Sequence, residues 1–233
     1  MHLAKYIKKQ IKTQLPAATG NSIDELRFVL TKPLMRLEIP DTPYLDLAST
    51  PFFAAALKSS NYFLEYGSGG STVLAFQLGK PLISIDSDRK FLNAVRCKLG
   101  GGLRNDQRLI PVDIGLTGRW GTPFFKWPTR SRLRKWRNYP NAPWQIMESE
   151  VPDLIMIDGR FRVCCALTTI KKMSHVENYM MLIDDYAARP NYHVVERFAE
   201  LEKMVGRMAV FRKKPFDDTE IDIELDHHLG DWR

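Results

Sequence analysis

Five carboxylates stand where this chain could do chemistry. Asp86, Asp113, Asp158 and Asp184 each close a short apolar run: LISI before Asp86, LIPV before Asp113, LIMI before Asp158 and MMLI before Asp184. The fifth, Glu65, lies in LEYGSGGST, residues 64–72, where an apolar run gives way to Gly67, Gly69 and Gly70 and to the hydroxyls of Ser68, Ser71 and Thr72. One acid at a strand end means little. Four at successive strand ends describe a site that reads several polar groups, because ligands of open α/β sheets lie outside the carboxyl ends of the strands.

Glycines at 67, 69 and 70 permit a tight turn and let a ligand reach the backbone without meeting a Cβ. A turn that simply needs positive φ is the alternative. Asp86 decides between them: an acid at the end of the next strand is placed to accept both hydroxyls of a ribose, so the pair points to a nucleoside-containing cofactor. Glu65 bears on which one. A dinucleotide brings its pyrophosphate to the helix N-terminus, and a carboxylate just before the first glycine repels it. S-adenosylmethionine (SAM) carries a sulfonium and an ammonium and no phosphate. The electrostatics favour SAM.

The elements that must position these residues alternate. Strands are predicted at 62–66, 81–85, 108–112, 153–157 and 178–183, and helices at 71–79, 88–99 and 161–172. A further helix is expected over 192–205, where Val194, Val195, Phe198, Leu201 and Val205 recur at helical spacing. Residues 207–211 and 221–225 read as final strands. Nearly continuous apolar strands alternating with helices imply an α/β fold: a Rossmann-like, doubly wound, mainly parallel sheet covered on both faces. Residues 1–60 read as an N-terminal helical extension packing on the core. It comprises a basic helix over 1–20 and a short helix at 51–57 with Pro51 in its first turn. Residues 61–233 form the binding domain.

Bulk properties exclude several classes. The 233 residues are 44% hydrophobic and 26% charged, a globular composition with no apolar run long enough to span a bilayer. The N-terminus lacks the apolar centre of a secretory signal. Three cysteines, two of them adjacent, read as reduced thiols, and a cytoplasmic location is the expectation. Seven basic residues and no acid lie within 115–147, matching the whole formal net charge of +7, so the remainder is near neutral. That distribution disfavours a general nucleic-acid coat.

EYGSGG, ISIDSD, PVDIG and DLIMIDGR resemble the successive strand-end motifs of class I SAM-dependent methyltransferases, over roughly residues 61–212. More narrowly, IDGRFRVCCAL followed by IDDY is similar to a bacterial methyltransferase-like subgroup. The resemblance implies that Glu65, Gly67, Ser68, Gly69, Gly70, Ser71 and Thr72 form the turn holding the methionine portion of the cofactor. It places Asp86 at the ribose and Asp113 near the adenine. The N/D-P-P-Y/F signature of amino methyltransferases is absent, and IDG plus a later acid pair is similar to catechol-type O-methyltransferases. That likeness implies Mg²⁺ as a candidate on Asp158, Asp184 and Asp185, although Asp185 or Tyr186 replaces the family's Asn. A hydroxyl nucleophile needs a base, for which Asp158, Asp185 and His193 are the candidates.

The segment 115–147 interleaves its cations with Trp120, Phe124, Phe125, Trp127, Trp136, Tyr139 and Trp144. It reads either as a specificity element or as a solvated loop with its aromatics in the core. Trp120, Arg160 and Arg189 are candidate substrate-binding residues, and the expected acceptor is a small or glycan-like, anionic molecule. A nucleic-acid-binding module using the basic segment and an NAD(P)-dependent oxidoreductase stay open as alternatives.

Overall fold

The computed structural model describes residues 21–147 and 150–233. It divides into two units, residues 1–35 and 36–233. The first holds helix α1, Asn21–Thr31, and a 3₁₀ turn, Lys32–Leu34. The helix expected over 1–20 lies outside the described residues.

The second unit is built on a seven-stranded sheet. Its strands are β1 (Phe63–Tyr66), β2 (Leu82–Asp86), β3 (Gln107–Pro111), β4 (Leu154–Ile157), β5 (Met180–Ile183), β6 (Ala199–Val205) and β7 (Met208–Lys213). They lie in the order β3-β2-β1-β4-β5-β7-β6. The first five run parallel; β7 is antiparallel to β5, and β6 to β7. The chain reverses its winding between β1 and β4, which makes a crevice at their carboxyl ends.

Side chains alternate across each strand and feed two cores. Leu64, Tyr66, Ile83, Ile85, Ile155 and Ile157 face one side. There they meet Val163, Cys164 and Leu167 of helix Arg162–Lys172. Phe63, Leu82, Leu154 and Met156 face the other. That side is covered by α2 (Ser49–Ser59), α3 (Gly70–Gln77) and α4 (Arg89–Lys98) through Phe53, Leu57, Val73, Leu92 and Val95. Two layers of helix explain why the strands carry apolar residues at nearly every position. Asp88 caps α4, accepting from the N–H groups of Lys90 and Phe91.

Two sequence expectations are corrected. The helix expected over 192–205 is a 3₁₀ segment, Pro190–Arg197, followed by strand β6. The pairing with β7 is interrupted by a bulge between Leu201 and Lys203, and this breaks the period-two alternation by which a strand is recognised. The strand expected at 221–225 is part of a helix, Asp218–His228. The alternation in IDIEL misleads because Ile221 and Leu225, four apart, are the residues packed on the core, while Ile223 is exposed. Asp217 caps this helix through the N–H groups of Thr219 and Glu220.

Gly206 turns β6 into β7 with φ +58°, and a Cβ there would lie 2.3 Å from Asp46 Oδ1. Asp46 cannot yield readily: it accepts from the N–H groups of Ala48, Ser49 and Arg207 and from the Ser49 hydroxyl. Gly206→Ala is expected to cost about 1–3 kcal/mol of stability through crowding and strain. Gly102→Ala, where a Cβ meets nothing within 4 Å, should change little. Urea unfolding of both variants checks this.

Candidate functional site

Glu65 and Ser84 are register partners on adjacent strands, and they are polar residues on an otherwise apolar sheet face. They share the space beneath the first turn of α3. The Glu65 carboxylate accepts from Ser71 Oγ at 2.5 Å and from the Thr72 hydroxyl. Ser84 Oγ pairs with Ser68 Oγ at 2.6 Å, and Thr72 Oγ1 accepts from the N–H of Gly69 at 2.9 Å. Glu65 has no solvent exposure, and burial pushes its carboxyl up to about 7 despite the hydroxyls of Ser71, Thr72 and Ser84.

The three glycines of the turn have different reasons to be glycine. A Cβ on Gly67, at φ +102°, would meet the Gly159 nitrogen at 2.6 Å, so this residue lets the ends of β1 and β4 close on each other. A Cβ on Gly70 would lie 1.9 Å from the Thr42 carbonyl oxygen; this residue seats the segment before α2 on the turn. At Gly69 a Cβ would meet nothing within 4 Å. Of the three, only Gly69 faces open space.

Asp86 closes the next strand beside that space. Its carboxylate accepts from Ser68 N at 3.0 Å and Asp88 N at 2.7 Å, and burial pushes it up to about 7 against the pull of those N–H groups. The 3₁₀ turn Arg119–Gly121 leans over it: Ser87 Oγ donates to the Gly121 carbonyl at 2.9 Å. Asp113 stands apart from this group. It is exposed, accepts from Lys135 Nζ at 2.6 Å and from Gly115 N at 2.8 Å, and is held below the usual carboxylate range by Lys135 first and then Gly115.

Asp158, Asp184 and Asp185 converge at the ends of β4 and β5, with ligand atoms within 4.8 Å of one another. Arginines accompany them. Arg207 grips buried Asp184 through Nε and Nη2, at 3.0 and 2.7 Å, and its Nε is 3.2 Å from Asp185. Arg162 pairs with Asp158 at 2.8 Å and reaches Asp185 at 3.3 Å; Arg189 reaches Asp185 at 3.2 Å. Three guanidiniums thus balance three carboxylates. This donor set does not fit Mg²⁺, which needs free oxygen ligands in a near-octahedral shell. Asp158 is half-buried. Burial pushes it up to about 6, with Arg162 pulling it back and Asp184 and Asp185 adding to the rise.

The basic aromatic segment divides in two. Trp136 and Tyr139 are buried: Trp136 Nε1 donates to the Ile114 carbonyl, and Trp144 Nε1 donates to the Tyr66 hydroxyl, which itself donates to the Pro140 carbonyl. Trp120, Phe125 and Trp127 are exposed. Trp120 has φ +56°, rare for a bulky residue, and its ring lies 6.2 Å from that of Tyr44. The cations are partly engaged at home, Arg137 on Asp226, Lys126 over the Trp232 ring and Arg132 over Phe125. His193 is exposed and stacks on Tyr186 with ring centroids 5.1 Å apart.

Several contributors had no sequence signal. Thr42, Tyr44 and Arg207 come from distant segments; Arg207 Nη2 also donates to the Tyr44 carbonyl at 2.9 Å, tying that strand-end arginine to the segment over the glycine turn. Arg162 has a local signal, lying four residues beyond Asp158 just past the strand end.

A sheet ordered 3-2-1-4-5-7-6, with a glycine turn after β1 and an acid closing β2, defines the class I SAM-dependent methyltransferase fold. A methyltransferase-like protein from Silicibacter pomeroyi DSS-3 is 32% identical over 82% of this chain and 100% of its own, with a TM-score of 0.70. The chain belongs to that methyltransferase-like family. Among other solved structures, SAH-bound PaMTH1 from Podospora anserina is 13% identical, covering 92% of this chain and 96% of its own, with a TM-score of 0.46. A methyltransferase from Geobacter sulfurreducens is also 13% identical, over 91% and 98%, with a TM-score of 0.44. No protein-family model matches the sequence, and neither does any curated protein. No helix among the described residues is long and apolar enough to cross a membrane.

Two outcomes test the site. Gly70→Ala should destabilise the fold by about 1–3 kcal/mol by overpacking against backbone, whereas Gly69→Ala should leave stability within about 0.5 kcal/mol; thermal and urea unfolding compare them. The second concerns pH. Glu65 titrates near 7 when folded and near the ordinary carboxylate value when unfolded, so between those values the folded state holds the extra proton. Its contribution to stability is therefore lost as pH rises toward 7. Relative to Glu65→Gln, the wild type should lose about 1–3 kcal/mol between pH 5 and 7.5. Unfolding curves with no difference in pH slope would contradict this account.

Proposed function

We propose that the chain transfers a methyl group from SAM to oxygen on a small or glycan-like, anionic acceptor. The observation that carries the reading is the space at Gly69, bounded by a buried acid at the end of β2 and lying above a carboxylate. Glu65 lies beneath the first turn of α3, holding the hydroxyls of Ser71 and Thr72. When ionised, it disfavours a pyrophosphate at that helix end. A sulfonium nucleoside suits the site better, with Asp86 accepting from ribose hydroxyls and the adenine directed toward Asp113. When bound, SAM supplies an electrophilic methyl group.

The protein's part is alignment and proton removal. Positioning can supply about 7–11 kcal/mol of rate enhancement. Asp158 is the first candidate for taking the proton from an attacking hydroxyl, because burial makes it more basic than an ordinary carboxylate. Asp185 is less suited, since Arg162, Arg189 and Arg207 all lie against it. His193 is the third candidate, supported only by its exposed position beside Tyr186. Trp120 and Arg189 remain candidates for contacting the acceptor.

Calorimetry tests the reading. S-adenosylhomocysteine (SAH) should bind while NADH does not, and Asp86→Asn should weaken SAH about tenfold or more through lost charge-assisted hydrogen bonds. Because Asp86 titrates near 7 and accepts best when ionised, SAH affinity should rise from pH 6 to 8. No heat with either SAM or SAH, or tighter binding of NADH, would remove the proposal.

A further inference from the structure

Most arginines near the strand ends are engaged, but Arg160 is an exception. It directly follows Gly159 after β4, its Nε is buried without a hydrogen-bond partner, and no ion pair to its guanidinium is found among the described residues. Burial and the neighbouring Arg162 both draw its pKa down. Leaving that buried N–H without a partner is costly. Asp158 acts on Arg160 through space, but the hydrogen-bonded partner of that carboxylate is Arg162 at 2.8 Å.

A second polar group nearby is also unanswered. The hydroxyl of Tyr192 is buried without a partner, although its ring is packed in the core and has the Arg189 guanidinium 5.5 Å from its centroid. Contacts link the two groups: Arg189 lies over the Tyr192 ring and pairs with Asp185, which pairs in turn with Arg162, two residues from Arg160. They come from different elements, the β4 end and the 3₁₀ segment Pro190–Arg197. Two unpaired donors, one of them cationic, on the β4–β5 side of the crevice fit one kind of guest: an oxyanion.

The backbone between the arginines gives this placement a cause. Phe161 has φ +54°, in the left-handed region where an aromatic residue is strained. It is held there by Trp136 and Tyr139, whose ring centroids lie 5.5 and 5.7 Å away. Immediately beyond that reversal, Arg162 turns to Asp158 and Asp185, whereas Arg160 turns to neither. Strain of this kind persists where the surroundings over-determine it, and it clusters at functional sites.

We infer that Arg160 and the Tyr192 hydroxyl form an oxyanion subsite for a carboxylate or phosphate on the methyl acceptor. The inference rests on the methyltransferase reading for the word acceptor. The subsite itself requires only an anion: the guanidinium donates to its oxygens, Tyr192 donates a further hydrogen bond, and no bond is made or broken. The methionine carboxylate of SAM is the competing guest. Arg160 follows Gly159, which packs on Gly67 of the glycine turn, and it acts on Asp86, so the SAH affinity of the Arg160 variant decides between the two guests.

The test titrates inorganic phosphate, and acetate separately, into wild type, Arg160→Gln, Tyr192→Phe and Arg130→Gln, each with and without saturating SAH. Thermal melting checks that the variants are folded. Wild type should bind one of the anions, and the preferred probe tells a phosphate-bearing acceptor from a carboxylate-bearing one. Arg160→Gln should weaken that anion about tenfold or more and Tyr192→Phe about threefold or more, the range of charge-assisted hydrogen bonds. Arg130→Gln, in the exposed basic segment, should leave it unchanged, and SAH affinity should stay within about twofold in every variant. Equal anion binding in wild type and Arg160→Gln, or none in wild type, overturns the subsite. So does a large loss of SAH affinity in Arg160→Gln, which would give the guanidinium to the cofactor. If SAH fails to bind wild type while the anion binds through Arg160, the subsite stands and the methyltransferase reading falls.

Discussion

Burying Glu65 beneath the N-terminus of a helix organises the crevice. A carboxylate with no solvent exposure must find donors, and the chain supplies them as Ser71 and Thr72 of the following helix, with Ser84 from the next strand close by. Those bonds tie β1, β2 and the first turn of α3 into one unit. They also place a carboxyl group beneath a helix end, the kind of position that attracts anions.

Around this unit the backbone closes tightly. Gly67 and Gly159 bring the ends of β1 and β4 together, and Gly70 admits the Thr42 carbonyl. The segment carrying Thr42, Tyr44 and Asp46 runs from the glycine turn to the β6–β7 hairpin, where Arg207 binds the Tyr44 carbonyl and Asp184 together. One arginine therefore links a strand-end acid to the segment lying on the turn. The same pairing explains why the three acids after β4 and β5 suit ion pairing better than a metal. Their charge is answered, and both oxygens of Asp184 face a guanidinium.

Much of the sheet was legible because its parallel strands are largely buried and so read as apolar runs, four of them leading to an acid. The site was legible as residue types, not as roles. Three neighbouring glycines look equivalent in LEYGSGGST, yet two are required by the protein's own backbone and one faces open space. Arg160 and Arg162 look like twins in DGRFRV, yet one is paired and the other is not. The basic segment looks continuous, yet Trp136 is core and Trp127 is surface. At the C-terminal end, periodicity misled twice, once across the bulged strand β6 and once along the short helix containing IDIEL.

Local chemistry in the sequence was enough to set the alternation of strands and helices, the glycine turn and the acids at the strand ends. Each depends on near neighbours: side-chain alternation, a cap, or the freedom of a residue without a Cβ. Only the tertiary structure decided which glycine faces outward, which acid meets which arginine, and where two donors are left unpaired. Those outcomes depend on segments far apart in the chain, Thr42 against Gly70, Asp46 against Gly206 and Arg207 against Asp184. Packing density brings such groups within a few ångströms, and no local pattern encodes that approach.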